Sequence, residues 1–265
     1  MIRVGVIGAH GRMGREVCRA VAEDPECTLV AAVDSLGCGE NVGALIGHPE
    51  LKVQISDELD ALTDAEVDVA VDFTHPDSVM DDVRWCVRHA VHCIVGTTGI
   101  TAAHLDEIRA LIEEEGSESN VFVAPNFAIG AVLMMRFAAA ASRWLPSVEI
   151  IELHHAGKAD APSGTALKTA EEIAKARPEG GDAPPSKEVA PGARGADVAG
   201  IRVHSVRLPG LVAHQEVLLG GPGQSLLIRH DSYDRASFMP GVLLAIKAIT
   251  KHPGLTYGLE NLLDL

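Results

Sequence analysis

The densest run of reactive side chains is Glu152-Leu153-His154-His155-Ala156-Gly157-Lys158-Ala159-Asp160-Ala161-Pro162-Ser163-Gly164-Thr165-Ala166. Two imidazoles and an ammonium leave the end of a strand-like segment and lead toward a helical pattern. Ser163 is suited to cap that helix, which leaves the N–H groups of Gly164 and Thr165 available near its first turn. One lysine charge, two imidazoles and a helix N-terminus form a compact pocket able to bind a carboxylate and to donate protons. No metal is expected, because no third ligand stands at a recognisable spacing from His154 and His155. A plainer reading stays open at this point: Asp160 could merely neutralise Lys158 at the surface, and exposed ion pairs are common and weak.

A second constellation lies at the N-terminus. The apolar run Ile2–Ile7 passes directly into Gly8-Ala9-His10-Gly11-Arg12-Met13-Gly14 and then a helical pattern. Gly8 can make a tight strand-to-helix turn, Gly11 lets backbone approach a pyrophosphate, and Gly14 permits close packing of helix on sheet. Asp34 ends the next apolar run and stands 20 residues after Gly14, where an acid accepts hydrogen bonds from the ribose hydroxyls of a dinucleotide. Asp34 would repel a 2′-phosphate, which favours NAD, although Arg12 could partly compensate. Gly96-Thr97-Thr98-Gly99 and Ala124-Pro125-Asn126-Phe127 each follow a strand-like run. They sit where ligands bind in open α/β sheets, with ordinary turn chemistry as the alternative.

These residues need a scaffold. Apolar runs at Ile2–Ile7, Leu29–Val33, Val67–Phe73, Cys93–Val95 and Val121–Ala124 alternate with helical patterns such as Gly14–Ala22, Asp77–Ala90 and Ala102–Glu115. The alternation predicts a parallel sheet covered on both faces. Beyond a buried helix within Ala128–Leu145, the pattern changes. Strands are expected at Val148–Leu153, Ile201–Leu208, Val212–Leu219 and Ser225–His230, with a helix over Thr165–Lys175. Gly220-Gly221-Pro222-Gly223 reads as a hairpin connection. The fold class is therefore α/β: a dinucleotide-binding domain over residues 1–127, probed again by an apolar helical stretch within 239–265 that could complete it, and a second α/β domain over 128–238 with a mixed, largely antiparallel sheet. Pro178–Gly200 is rich in Pro and Gly and reads as a long loop without a periodic signal.

Composition sets the background. Of 265 residues 47% are hydrophobic, which supplies an ordinary core, and aromatics are only 3%. A net charge of −15 repels nucleic acid and anionic membranes, so an anionic ligand requires local positive groups. Five cysteines without a C-x-x-C pair fit neither a disulfide framework nor a zinc ribbon. Gly8–Arg12 interrupts the apolar start, and Arg136 and Arg143 interrupt the longest apolar stretch. The chain is expected to be soluble and cytoplasmic.

The run from His154-His155 through Lys158 to Gly164-Thr165, together with Gly8–Gly14, Asp72-Phe73-Thr74, Gly96–Gly99 and Ala124–Phe127, resembles the dihydrodipicolinate reductase (4-hydroxy-tetrahydrodipicolinate reductase) family over essentially the whole chain. The resemblance implies a Rossmann-type domain, a second domain for substrate binding and oligomerisation, and a homotetramer. It implies reduction of 4-hydroxy-tetrahydrodipicolinate with NADH or NADPH in lysine and diaminopimelate biosynthesis. Cofactor contacts map to Gly8, Ala9, His10, Gly11, Arg12, Met13, Asp34, Gly96, Thr97, Thr98, Ala124, Pro125, Asn126 and Phe127. His154 and Lys158 become the proton donors, and His155, Lys158, Gly164 and Thr165 hold the dicarboxylate. The family often has Glu followed by Arg at the ribose position, where this chain has Asp34-Ser35. Two other classes fit the residues less well. A thioester-forming aldehyde dehydrogenase needs a thiolate beside a base, and no cysteine neighbours His154 or Lys158. A nucleotide sensor without turnover has no use for the His154-His155-Lys158 cluster.

Overall fold

The computed structural model describes residues 1–177 and 186–263. The first six strands are β1 (Ile2–Ile7), β2 (Cys27–Val33), β3 (Ile55–Ser56), β4 (Val69–Asp72), β5 (His92–Val95) and β6 (Val121–Val123). Then come β7 (Ser147–His154), β8 (Ala196–Val198), β9 (Ile201–Arg207), β10 (Ala213–Gly221), β11 (Gln224–Ser232) and, near the end, β12 (Leu255–Tyr257). The chain divides into two compact units, Met1–Phe127 with Phe238–Leu265, and Ala128–Ser237.

In the first unit seven strands form a sheet in the order β12-β6-β5-β4-β1-β2-β3, with every pairing parallel. Strands buried on both faces read as continuous apolar runs, and β4 is buried along its whole length. Because the strands are parallel, the segments that follow β1, β2, β4, β5 and β6 emerge along one edge of the sheet. That edge gathers Gly8, Asp34, Thr74, Gly96 and Ala124. The helix Arg12–Glu23 buries Gly14, Val17, Cys18 and Val21 against the sheet. A Cβ on Gly14 would lie 2.0 Å from the Gly8 carbonyl oxygen, so the glycine there is required by the close approach of helix and turn.

The second unit holds a five-stranded sheet, β11-β10-β7-β9-β8. Only the β7–β9 pairing is parallel; the other three are antiparallel. Along β7, Val148, Ile150 and Glu152 are buried while the alternate residues are more open, as the two-residue period of a strand requires. The helix Gly164–Ala176 begins at Ser163, whose hydroxyl accepts a hydrogen bond from the Ala166 N–H at 3.2 Å.

The structure corrects some expected boundaries. The hairpin is tighter than the glycines at 220–223 suggested, because β10 extends through Gly221 and β11 begins at Gln224. Residues 178–185 of the expected long loop lie outside the described residues. The remainder of that stretch contains β8, which finds its partner in β9 through long-range pairing that three residues of sequence pattern do not reveal. The strands β3 and β12, of two and three residues, were likewise invisible. Among the described residues no helix is long and apolar enough to cross a membrane.

Candidate active site

On the edge of the first sheet, Gly8, His10, Gly11 and Asp34 line one cavity of about 710 Å³. Gly8 has φ +81°, a left-handed conformation that glycine adopts without penalty. Gly11 precedes the helix Arg12–Glu23 and offers no side-chain cap. The first-turn N–H groups of that helix, with Arg12 and Met13 among them, therefore remain suited to an anion. Asp34 stands at the end of β2. Its carboxylate accepts hydrogen bonds from the His10 N–H at 2.8 Å and the Leu36 N–H at 2.9 Å. Ala9 is fully buried, its N–H donating to the Val33 carbonyl at 3.1 Å. Thr74, Ser78 and Trp85 also line the cavity, and the acids Asp57, Glu58, Asp60 and Asp82 surround it alongside His10 and His75. A glycine turn, a helix N-terminus and an acceptor acid around a cavity of this size fit a dinucleotide.

The other two loops reach the same sheet edge but differ in what they offer. The Thr97 hydroxyl donates to Asp72 at 2.5 Å and accepts from the Thr74 N–H at 2.7 Å, so its side chain is engaged internally. Gly96 packs under the Phe73 ring, where a Cβ would lie 2.2 Å from ring carbons. Thr98 is exposed. Ala124 and Phe127 are buried, Pro125 is exposed and Asn126 is intermediate. Phe127 packs against Phe73 and Phe122 with ring centroids 5.9 and 6.0 Å away. These loops can offer a ligand Thr98, Pro125, Asn126 and backbone groups, while Thr97 and Phe127 hold the loops in place.

Beneath them lies an acid cluster that the spacing did not signal. Asp72 is fully buried, and the Thr74 hydroxyl bridges it at 3.0 Å to Asp82 at 3.3 Å. Burial pushes the Asp72 carboxyl up to about 8, with the Thr97 hydrogen bond opposing and the Asp82 charge adding. Burial also raises Asp82.

In the second unit the loop after β7 folds back on its own strand. His154 Nδ1 lies 2.5 Å from Glu152 Oε2, and Lys158 Nζ donates to Asp160 at 2.7 Å. His155 is exposed, with its backbone N–H held by the Val212 carbonyl. Gly164 and Thr165 open the helix capped by Ser163, and the Ser163 N–H reaches Glu152 Oε1 at 3.3 Å. Strand end, basic loop and helix start are thus gathered into one place. Burial lowers His154, and its hydrogen bond to the Glu152 carboxylate opposes that effect.

Glu152 and Arg207 had no assigned role in the sequence. Arg207 grips Glu152 with two guanidinium nitrogens, Nη1 to Oε2 at 2.9 Å and Nη2 to Oε1 at 2.8 Å, and Nη2 also donates to the Asp160 carbonyl at 2.5 Å. The partners are 55 residues apart. The parallel register that sets Arg207 beside His154 brings them together. Only the alternation along β7, with Glu152 at an otherwise apolar inward position, hinted at a buried acid needing a cation.

Of the five cysteines only Cys38 is exposed, its Sγ donating to Asp57 Oδ1 at 3.4 Å. Cys18, Cys27, Cys86 and Cys93 are buried, and burial pushes the Cys18 thiol up to about 12 and that of Cys27 to about 11. A thiol so raised is largely protonated at neutral pH.

Comparison with known proteins agrees with this architecture. The family models for the N-terminus and C-terminus of dihydrodipicolinate reductase match residues 2–127 and 130–263. A 4-hydroxy-tetrahydrodipicolinate reductase from Nocardia farcinica is 52% identical over 269 aligned positions, covering 100% of this chain and 99% of that one. One from Syntrophomonas wolfei is 50% identical, with 98% of each chain covered. The solved structure of a dipicolinate-bound dihydrodipicolinate reductase from Paenisporosarcina sp. TG-14 superposes with a TM-score of 0.87 at 44% identity, covering 99% of this chain and 100% of that chain. With both units matched and relatives of this identity along its whole length, the chain belongs to the dihydrodipicolinate reductase family.

Proposed function

We propose that the chain reduces 4-hydroxy-tetrahydrodipicolinate to tetrahydrodipicolinate with NADH or NADPH, a step of lysine and diaminopimelate biosynthesis. The observation that carries this reading is the basic loop of the second unit: His154, His155 and Lys158 follow β7, and Glu152 and Arg207 tie that strand end and loop to the start of a capped helix, in a chain whose net charge is −15. A small dianion is the ligand that such a cluster of positive groups suits. The Paenisporosarcina relative was solved with dipicolinate, a dicarboxylate of that kind.

The first unit is assigned the cofactor. The helix start after Gly11 takes the pyrophosphate, Asp34 accepts from the adenosine ribose, and backbone of the Gly96–Thr98 and Ala124–Phe127 loops borders the nicotinamide. The reduced nicotinamide, when bound, supplies the hydride. The acids Asp34, Asp57, Glu58 and Asp60 around the cavity favour NADH, because a 2′-phosphate would sit in a negative field.

In the second unit, His155, Lys158 and the N–H groups of Gly164 and Thr165 hold the substrate carboxylates. The substrate is a cyclic imine that loses its 4-hydroxyl as water, and the conjugated ring then accepts hydride at C4. Negative charge develops on the ring as this occurs. The Lys158 ammonium neutralises that charge, and His154 or Lys158 delivers the proton that completes the reduction.

The homotetramer is supported by the outward face of the second sheet, where Leu218 and Leu227 are register partners and remain 39% and 55% exposed. The biosynthetic role is consistent with a cytoplasmic location.

A steady-state assay with substrate freshly made from pyruvate and aspartate semialdehyde tests the function. Oxidation of NADH that depends on this substrate is the expected result, with NADPH the poorer donor. No substrate-dependent oxidation of either cofactor would overturn the proposal.

A further inference from the structure

Glu152 and Arg207 touch the proposed proton donor without belonging to the substrate pocket. Glu152 and His154 are two residues apart on β7 and so project to the same face of the sheet. Arg207 on β9 is the register partner of His154. Glu152 has no exposed surface, and it accepts from two guanidinium nitrogens of Arg207 and from the Ser163 N–H, with the Ser205 hydroxyl and His154 Nδ1 also at hydrogen-bond distance. A carboxyl group in such a shell is an ionised acceptor, because a protonated one would direct its own hydrogen at donors. His154 must then carry its hydrogen on Nδ1. A neutral imidazole has only one N–H, so Nε2 is left as a bare lone pair, the atom through which a proton is gained from solvent and passed on.

We propose that Glu152 and Arg207 form a positioning pair for His154. Glu152 fixes the ring and its tautomer so that Nε2 is the proton-transfer atom. Arg207 holds Glu152 with its fork and, through the Asp160 carbonyl, holds the loop that carries Lys158. The proton balance is simple. Protonation at Nε2 gives an imidazolium whose Nδ1–H still faces the Glu152 carboxylate, and transfer to the substrate returns the neutral Nδ1–H ring. Glu152 keeps its charge throughout. The charged groups around His154 are Glu152, Lys158 and Arg207; the first stabilises the imidazolium and the other two oppose it. The arrangement follows the general logic of an orienting carboxylate behind an acid–base histidine.

This inference rests on the reading of His154 as a proton donor, and the experiment separates the two. Long-range proton–nitrogen correlation spectra of the wild-type chain with 15N-labelled histidine, without ligands, report which ring nitrogen of His154 bears hydrogen. The expected spectrum shows Nδ1 protonated and Nε2 bare above the titration of the ring. Glu152→Gln is expected to lower the pH at which His154 titrates and to reduce kcat by about 10²-fold, a large part of what an acid–base group contributes, with KM changed much less. Glu152→Asp, which keeps the carboxylate, should recover part of the kcat. A wild-type His154 protonated on Nε2 with Nδ1 bare would overturn the positioning claim even if Glu152→Gln fails to fold. So would a folded Glu152→Gln chain with unchanged kcat and pH profile. Intact kcat in His154→Gln would instead overturn the proton-donor reading beneath it.

Discussion

Among the described residues each unit buries one carboxyl group completely, and the two groups end in opposite states. Asp72, the last residue of β4, accepts from the Thr74 and Thr97 hydroxyls and faces Asp82 across Thr74. None of these hydrogen-bond partners is cationic. Burial therefore prevails and holds its carboxyl at about 8. Glu152, near the end of β7, meets the same burial, which by itself would raise it. The hydrogen bonds from Arg207, Ser205 and His154 outweigh burial and hold it below the usual carboxylate range. Desolvation disfavours charge in both places, and the donors around Glu152, Arg207 foremost, against the neighbouring acid at Asp72, decide the outcome. The functional consequences differ accordingly. A neutral Asp72 ties Thr97 and Thr74 together without adding another negative charge beside a cavity already rimmed by acids. An ionised Glu152 gives His154 a permanent acceptor.

The contrast can be broken from several directions. Lys158→Ala carries the largest expected effect on activity, a fall in kcat of about 10²–10⁴-fold, the range for an acid–base group. The melting temperature should hardly move, because the Asp160 side chain that Lys158 meets is 59% exposed and such pairs contribute little. Steady-state kinetics beside a thermal melt would separate the two readouts, and intact activity would remove Lys158 from the chemistry. Arg207→Met acts on stability instead. It leaves the Glu152 charge buried without its counterion and should cost about 3–5 kcal/mol in denaturant unfolding. A loss as small as that at Lys158 would mean that Glu152 is neutral like Asp72.

A gentler test works through pH. The folded chain keeps Asp72 protonated above the ordinary aspartate range, so it binds more protons than the unfolded chain between about pH 4 and 8. Stability must fall as pH rises through that window. Asp72→Asn, which mimics the neutral acid, should flatten the fall while leaving stability at the acid end of the window, near pH 4, nearly unchanged. Glu152 tilts the other way: its contribution is present above the ordinary glutamate range and is lost as pH drops through its lowered folded value. Unfolding of Asp72→Asn and Glu152→Gln measured beside the wild type from pH 2 to 9 would expose opposite slopes, the Glu152 one below about pH 4.5 and the Asp72 one above about pH 4, and parallel curves would contradict them. The smallest expected effect is at Asp34. Asp34→Ala should raise KM for NADH about 10-fold, the order of one hydrogen bond to a charged group, and raise that for NADPH less. Equal losses would remove Asp34 from ribose recognition.

What was legible in the sequence was local. The glycine turn from Gly8 to Gly14, the Ser163 cap and the basic loop from His154 to Lys158 each announce themselves within a dozen residues, because turn geometry and helix ends depend on near neighbours. The alternation of apolar runs with helical patterns likewise revealed the parallel sheet. Arg207 could not be read this way, since it reaches Glu152 only through the β7–β9 register across 55 residues. Asp72 belongs to the Asp72-Phe73-Thr74 motif, but its buried partnership with Asp82 and Thr97 depends on three separate segments converging. Thr97 adds a structural part to an expected one: its glycine-flanked loop suggests a ligand contact, and the bond of its hydroxyl to Asp72 is a further feature that the loop sequence does not show.

One measurement addresses the contrast directly. Carbon-13 spectra of the side-chain carboxyls of wild-type protein, labelled at Asp and Glu and followed from pH 3 to 9, report the ionisation of both groups in a single sample. The account predicts that Asp72 remains protonated at pH 6 and ionises near 8, while Glu152 stays ionised through the whole range down to the ordinary glutamate region and below. Titration of both carboxyls together near pH 4 would contradict it.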